Sequence, residues 1–326
     1  MIKTLVTNIK NNLESRWRFQ SPWVLLHGRN GAGKSSLIHG LELACFGQVF
    51  DAAGNDCKLK SRIDLMGQHQ NKVLTKILVQ NKYDTSVYDR DEPAGFVNAV
   101  QDTINAMKGG QRLYKFLLEH ADKDIPLTVV HQKWEAQVER HGSYRKALLK
   151  MDEVVGKALR SHRATIKELD IAAKYAAVNN QELVAQRSAA VLHEAQSKDL
   201  STQIKREMKR FYEEITPTIE AKMEQYIPDG MGKPKFFSGP NPSLGFVDRP
   251  VPSGAEMVAL AMALAAVVLP MDKSVIIFPD RAYDPVTLGR MMRVARTIPA
   301  VGVFVQSTVL PTDYEPEEMG WHVIPL

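Results

Sequence analysis

Apolar and polar positions change period several times along the chain, and each change marks an element. Lys3 to Ile9 alternates as a half-buried strand does, and Trp17 to Phe19 is a short second candidate. Trp23-Val24-Leu25-Leu26-His27 is a continuous apolar run, the pattern of a buried strand. Leu37 to Phe46 reads as a helix, and Gly47 to Lys60 as a polar, glycine-containing loop. Val73 to Gln80 and Thr85 to Tyr88 flank Asn81 to Asp84 and read as a hairpin that extends an antiparallel edge. Ala94 to Met107 and Gln111 to His120 read as helices split by Gly109-Gly110. Ile125 to Gln132 reads as a strand that hands over directly to a helix.

From residue 133 to about 226 the period is helical, with Pro217 the one proline and Gly142 and Gly156 the only glycines. Tyr144, Leu148, Met151, Val155, Leu159, His162, Ile166, Leu169, Ala173 and Ala176 recur at spacings of three and four, as a coiled-coil seam does. Val178-Asn179-Asn180 is a turn candidate, and Ile204, Met208, Phe211 and Ile215 continue the same spacing beyond it. Two antiparallel helices of about 45 residues would project roughly 65 Å. Pro228 to Pro252 is rich in proline and glycine, with strand pieces at Phe236-Phe237 and Leu244 to Val247. The order then becomes α/β: helix Ala255 to Val268, strand Ser274 to Phe278, helix Pro285 to Thr297, strand Val301 to Gln306 and a last strand near Trp321 to Ile324.

Composition narrows this picture only a little. At 326 residues the chain is long for a single core, and its net charge of +5 is a modest basic excess, compatible with nucleic acid. Two cysteines without a C-x-x-C or His/Cys cluster argue against disulfides and structural zinc. The first residues enter an alternating strand rather than a signal-type segment, and the apolar run Met257 to Leu269 is too short to span a bilayer. An intracellular, cytoplasmic protein with no membrane partner is expected.

One stretch carries chemistry. Gly28-Arg29-Asn30-Gly31-Ala32-Gly33-Lys34-Ser35-Ser36 fits the phosphate-binding pattern G-x-x-x-x-G-K-[ST], with a strand before it and a helix after it. Gly28, Gly31 and Gly33 allow a tight loop whose N–H groups turn onto phosphate oxygens, and the helix opening at Lys34 adds its positive end. Lys34 would reach the β- and γ-phosphates of ATP, and the Ser35 hydroxyl would ligate the bridging Mg²⁺. Asn30, Ala32 and Ser36 complete the candidate nucleotide contacts.

The order of the remaining motifs resembles the ATP-binding-cassette heads of the SMC, Rad50 and RecF group. GRNGAGKSSLIHGLELACFG is similar to the first motif of that group, Val129-Val130-His131-Gln132 looks like its Q-loop, and Ser253-Gly254-Ala255-Glu256 looks like its signature. The likeness covers about the first 50 and last 80 residues well and the middle by layout. It implies an α/β P-loop NTPase head of ABC type, with a mixed sheet and an inserted antiparallel coiled-coil arm. The halves of the head would be residues 1–132 and 227–326, and the arm residues 133–226. It further implies a homodimer in which two heads sandwich ATP, each nucleotide held by the loop of one head and Ser253 and Gly254 of the other. Gln132 would contact Mg²⁺ or the attacking water, and Asp284-Pro285 is similar to the D-loop.

The acidic motif departs from the pattern. Val275-Ile276-Ile277-Phe278 runs into Pro279-Asp280-Arg281, so one acid stands where two are expected. Asp280 then serves either as the Mg²⁺ ligand, with Arg281 in place of the base, or as the base, with Pro279 in place of the metal ligand, and either slow hydrolysis or a base supplied from elsewhere is expected. Ser307-Thr308 occupies the place where related ATPases often carry a histidine, and the arm lacks a C-x-x-C hook. In this group the substrate is DNA, bound without sequence preference. Lys58 to Arg62, Arg160 to Arg163, Lys205-Arg206 and Lys209-Arg210 are the candidate phosphate contacts. The resemblance implies an ATPase clamp of DNA repair, recombination or chromosome handling, nucleoid-associated if bacterial, with a nuclease or other repair subunit as a further partner. The rival reading is a nucleotide-gated scaffold with little turnover.

Overall fold

The computed structural model describes residues 1–9, 12–46, 49, 75–80, 85–89, 96–108, 111–125, 132–175, 181–239, 241–279, 283–312 and 315–326. Most of the loop from Gly47 to Lys60, the basic stretch Lys58 to Arg62, the strand read before Gln132, the turn at Val178 to Asn180, and Asp280-Arg281 lie outside the described residues. The chain forms two compact units, residues 1–112 with 218–326 and residues 113–217.

The first unit holds two main sheets. Strands β1 (Ile2–Ile9), β2 (Asn12–Arg18), β4 (Thr75–Gln80) and β5 (Thr85–Asp89) form an antiparallel sheet in the order β2-β1-β4-β5. Strands β3 (Trp23–His27), β6 (Val97–Asn98), β9 (Ser274–Ile277), β10 (Gly302–Ser307) and β11 (His322–Pro325) form a parallel sheet in the order β11-β3-β10-β9-β6. The continuous apolar runs of β3, β9 and β10 follow from this position, because a central parallel strand is covered on both faces. A ribbon of β7 (Pro234–Phe237) and β8 (Ser243–Phe246) stands apart from both sheets.

Helix α1 (Lys34–Phe46) joins the sheets. Its Leu37, Ile38, Leu41, Ala44 and Cys45 share one core with Ile2 and Leu5 of β1, Val24 and Leu26 of β3, Val275 and Ile277 of β9, and Phe304 of β10. Phe19 meets Phe304 edge-on at 5.3 Å between ring centres, fixing the exit of β2 against β10. Helix α7 (Gly254–Val268) is buried without interruption from Val258 to Ala265, as its alanine-rich, unstriped sequence requires. It packs on α2 (Ala99–Met107).

The reading of one helix from Ala94 to Met107 needs correction. Val97 and Asn98 instead pair with Ser274 and Val275 at the edge of the parallel sheet. Asn98 then caps α2, its side chain accepting from Gln101 N at 3.3 Å. A strand of two residues is too short to leave a period in the sequence.

The second unit is helical, with α3 (Arg112–His120), α4 (Gln132–His141), α5 (Tyr144–Tyr175) and α6 (Gln181–Met223, in this unit as far as Pro217). Gly142, at φ +68°, breaks α4 from α5, and the Asp124 carboxylate accepts from Tyr144 N and Arg145 N at 2.8 and 3.0 Å to start α5. Arg163 pairs with Glu194 at 3.1 Å and Arg187 with Asp170 at 2.7 Å, so α5 and α6 run antiparallel. His162 stacks on His193 between them at 5.6 Å. Leu148, Met151 and Val155 are buried, as are Ile204, Met208, Phe211 and Ile215. Further along, Leu159, Ile166 and Leu169 are only half-buried, as expected where two helices cover one another alone. The lengths are 32 and 43 residues, unequal where the sequence suggested two of about 45.

Candidate functional site

The carboxyl ends of the parallel strands make the site. Strand β3 runs beside β10 in a register that sets His27 opposite Ser307, and the chain turns out of β3 at Gly28. Gly28 N donates to Ser307 O at 3.3 Å, and Leu326 N donates to His27 O at 2.8 Å. The neighbouring strands therefore grip the root of the loop on both sides.

Within the loop, Ala32 N donates to Arg29 O at 3.2 Å across an exposed turn at Asn30 and Gly31. Gly31 and Gly33 take φ of +83° and +102°, values that a side chain disfavours. α1 opens at Lys34, so its first N–H groups and its dipole lie at the end of the turn. Gly28 is not left-handed; there it is the Leu326 carbonyl, which an added Cβ would meet, that requires glycine.

Lys34 is buried, and its Nζ donates to Gly28 O at 2.8 Å and Arg29 O at 2.9 Å. Neutral carbonyls orient the ammonium without cancelling its charge, so it remains available to an anion in the loop. Ser36 is buried and Ser35 half-buried, with Ser35 Oγ facing Gln306 Oε1 at 3.5 Å. The donors gathered here are oxygens, the set a hard cation such as Mg²⁺ takes, and the inward backbone N–H groups suit the phosphates it accompanies.

The other sequence candidates fall elsewhere. Ser253 and Gly254 stand exposed at the start of α7. Ser253 caps that helix in a capping box: its Oγ accepts from Glu256 N at 3.4 Å, and Glu256 Oε2 accepts from Ser253 N at 2.7 Å. Arg249 holds Glu256 from the other side through its Nη1 at 2.5 Å. Asp284 is exposed and caps α8 (Pro285–Ala295), accepting from Thr287 N at 2.9 Å. Hydrogen bonding from Thr287 holds its carboxyl below the usual aspartate range. Gln132 is the first residue of α4, in the second unit. Asp280 lies outside the described residues, just beyond Phe278, whose N donates to Phe304 O at 2.9 Å.

Among the basic candidates, Arg163 is paired with Glu194, Lys209 with Glu213 at 3.5 Å, and Arg210 with Glu207 and Glu214. Sequence reasoning passed over Gln306 as a site residue and noted Ser307 only as standing where related ATPases often carry a histidine. The signal was there: an apolar strand that ends in two polar residues, in a parallel sheet whose ligands bind at the carboxyl ends. No helix among the described residues is long and apolar enough to cross a membrane.

A phosphate loop between a central parallel strand and its helix, with an antiparallel companion sheet and a long helical stretch that falls in sequence between the two segments of the first unit, defines an α/β P-loop fold. A family model described as an AAA domain matches residues 11–227, more than half of the chain, and the chain belongs to that family of ATPases. Solved structures similar to it include the recombination mediator RecF with ATP, at 12% identity, covering 96% of this chain and 93% of that one with a TM-score of 0.48. Another is the Smc head with an extended coiled coil bound to the C-terminal domain of ScpA from Pyrococcus furiosus, at 13% identity, 94% and 89% coverage and a TM-score of 0.46. No curated protein matches the sequence.

Proposed function

We propose that this chain is a DNA-associated ATPase of the SMC, Rad50 and RecF kind whose heads close as a homodimeric clamp on ATP and open on hydrolysis. The observation that carries the nucleotide reading is the buried Lys34 ammonium, held only 2.8 and 2.9 Å from loop carbonyls at the carboxyl end of the parallel sheet. ATP supplies the phosphoanhydride that is cleaved. Lys34 would turn from those carbonyls to the β- and γ-phosphates, Ser35 would hold the Mg²⁺, and the loop N–H groups other than those of Gly28 and Ala32, which already donate to Ser307 O and Arg29 O, would hold the remaining phosphate oxygens.

Ser253 and Gly254 serve the nucleotide of a second head. The Ser253 oxygen accepts from Glu256 N, which leaves its hydroxyl hydrogen for a γ-phosphate. Asp284 lies on the face between heads. Gln132 and Asp280 would act on the cation and the attacking water, and with one carboxylate where two are expected, Arg281 standing in place of the base or Pro279 in place of the metal ligand, turnover is slow. Residues 1–132 and 227–326 form the halves of the head, residues 133–226 the arm, and the chain works in the cytoplasm on DNA without reading its sequence.

Pro279 also favours a second reading, a nucleotide-gated scaffold in which ATP closes the dimer and is scarcely hydrolysed. Steady-state ATP hydrolysis, with and without DNA, read together with oligomeric state, separates the two. Turnover that rises with DNA and is lost in Lys34→Ala supports the clamp ATPase. Dimerisation on ATP without turnover supports the scaffold. No effect of nucleotide on either overturns both.

A further inference from the structure

We propose that Gln306 is a positioning residue of the nucleotide site, whose side-chain carbonyl takes the Ser35 hydroxyl hydrogen and so turns the Ser35 lone pairs toward the divalent cation. This rests on the reading of Gly28 to Ser36 as the loop that holds a metal-bound nucleotide.

Three observations converge on the residue. Gln306 is 4% exposed, near the end of a strand whose other residues are buried and mostly apolar, so its polar amide is a placement rather than a filler. Its Oε1 lies 3.5 Å from Ser35 Oγ, although 271 positions separate the two in sequence. The next residue, Ser307, accepts from Gly28 N, so β10 is tied to the loop on the same side. The backbone therefore fixes where this amide stands relative to the loop.

The chemistry follows from the inventory of a hydroxyl, which has one hydrogen to give and two lone pairs. A serine that holds a cation must present a lone pair to it and send its hydrogen elsewhere. An amide oxygen is a fitting receiver because it accepts and has no proton of its own to offer. A leucine or methionine there would fill the space and offer the hydroxyl no acceptor from β10.

The test measures binding of a non-hydrolysable ATP analogue to the full chain as Mg²⁺ is titrated, with a metal-free arm in EDTA. Gln306→Met keeps the volume and removes the acceptor; it is expected to raise the Mg²⁺ concentration at half-effect about tenfold while leaving metal-free binding within twofold. Gln306→Glu keeps an acceptor in place and is expected to hold the wild-type Mg²⁺ requirement or lower it. Gln306→Asn withdraws the oxygen by one methylene and reads the same loss should the methionine variant fail to fold. An unchanged Mg²⁺ requirement in the folded methionine or asparagine variant overturns the proposal, as does an equal loss of metal-free binding, which marks a merely structural role. A wild-type chain that binds no nucleotide at all overturns the reading of the loop itself.

Discussion

Gly28 and Gly31 share one loop, yet a methyl group is expected to cost them different amounts. At Gly28 a Cβ would run into the carbonyl oxygen of Leu326, part of the backbone that grips the loop root. At Gly31 nothing lies within 4 Å of the added carbon, and only the φ of +83° resists it. Gly31→Ala should lower unfolding free energy by about 1 kcal/mol, the strain of a left-handed alanine. Gly28→Ala should cost about 2–3 kcal/mol, as overpacking against backbone does, and urea denaturation of the two variants ranks them. The loop was legible in the sequence because a backbone that must turn inward on phosphate tolerates few residue types. Gln306 was not legible: its meaning depends on which strand lies beside β3, and pairing across 271 positions leaves no local mark.

At the scale of elements, the helix starts carry the testable charges. Asp102 lies in the first turn of α2, half-buried, and desolvation pushes its carboxyl up to about 6. Between pH 4 and 6 the folded chain binds more protons here than the unfolded chain, so this group's contribution falls as pH rises through that window and stays reduced above it. Asp102→Asn is therefore expected to be more stable than the parent at pH 7.5, by about 1–3 kcal/mol, and to lose that advantage at pH 4. Thermal melts at the two pH values read the sign.

Asp284 has the opposite sense. Its lowered carboxyl contributes above the usual aspartate range and loses that contribution as pH falls below it. Asp284→Ala should cost about 1 kcal/mol at pH 7 through the lost α8 cap and progressively less on acidification, as chemical denaturation across that range would show. Period made α5 and α6 readable and an alanine-rich run made α7 so, whereas β6 escaped because two residues have no period, and its identity lay in Asn98 as the cap of the helix that follows.

At the scale of the whole molecule, Ser253, proposed to serve the nucleotide of a second head, offers the sharpest separation of binding from assembly. Ser253 is exposed and lies on a different element from the loop, so Ser253→Arg is expected to leave nucleotide binding by one chain within twofold. The same variant is expected to abolish ATP-dependent dimerisation, read by light scattering at matched concentration. Loss of both would place Ser253 in the binding of its own chain's nucleotide. The layout of a phosphate loop far upstream and an α/β stretch far downstream of a helical pair was visible in the sequence. Which strands lie side by side was not, because parallel neighbours are joined by sheet position rather than by any shared sequence signal.

That arrangement also sets a schedule. The loop root is held by Ser307 on one side and the β11 end on the other, and Gln306 reaches Ser35 across 271 positions. At the usual pace of synthesis, about 5–20 residues per second, those partners leave the ribosome roughly 14–60 s after the loop does. A nascent chain thus carries Gly28 to Ser36 in full but cannot close it, and the cell's abundant ATP meets no finished phosphate cradle until both halves of the first unit are in hand. Nucleotide capture by this chain is in that sense a late report on its own completed folding.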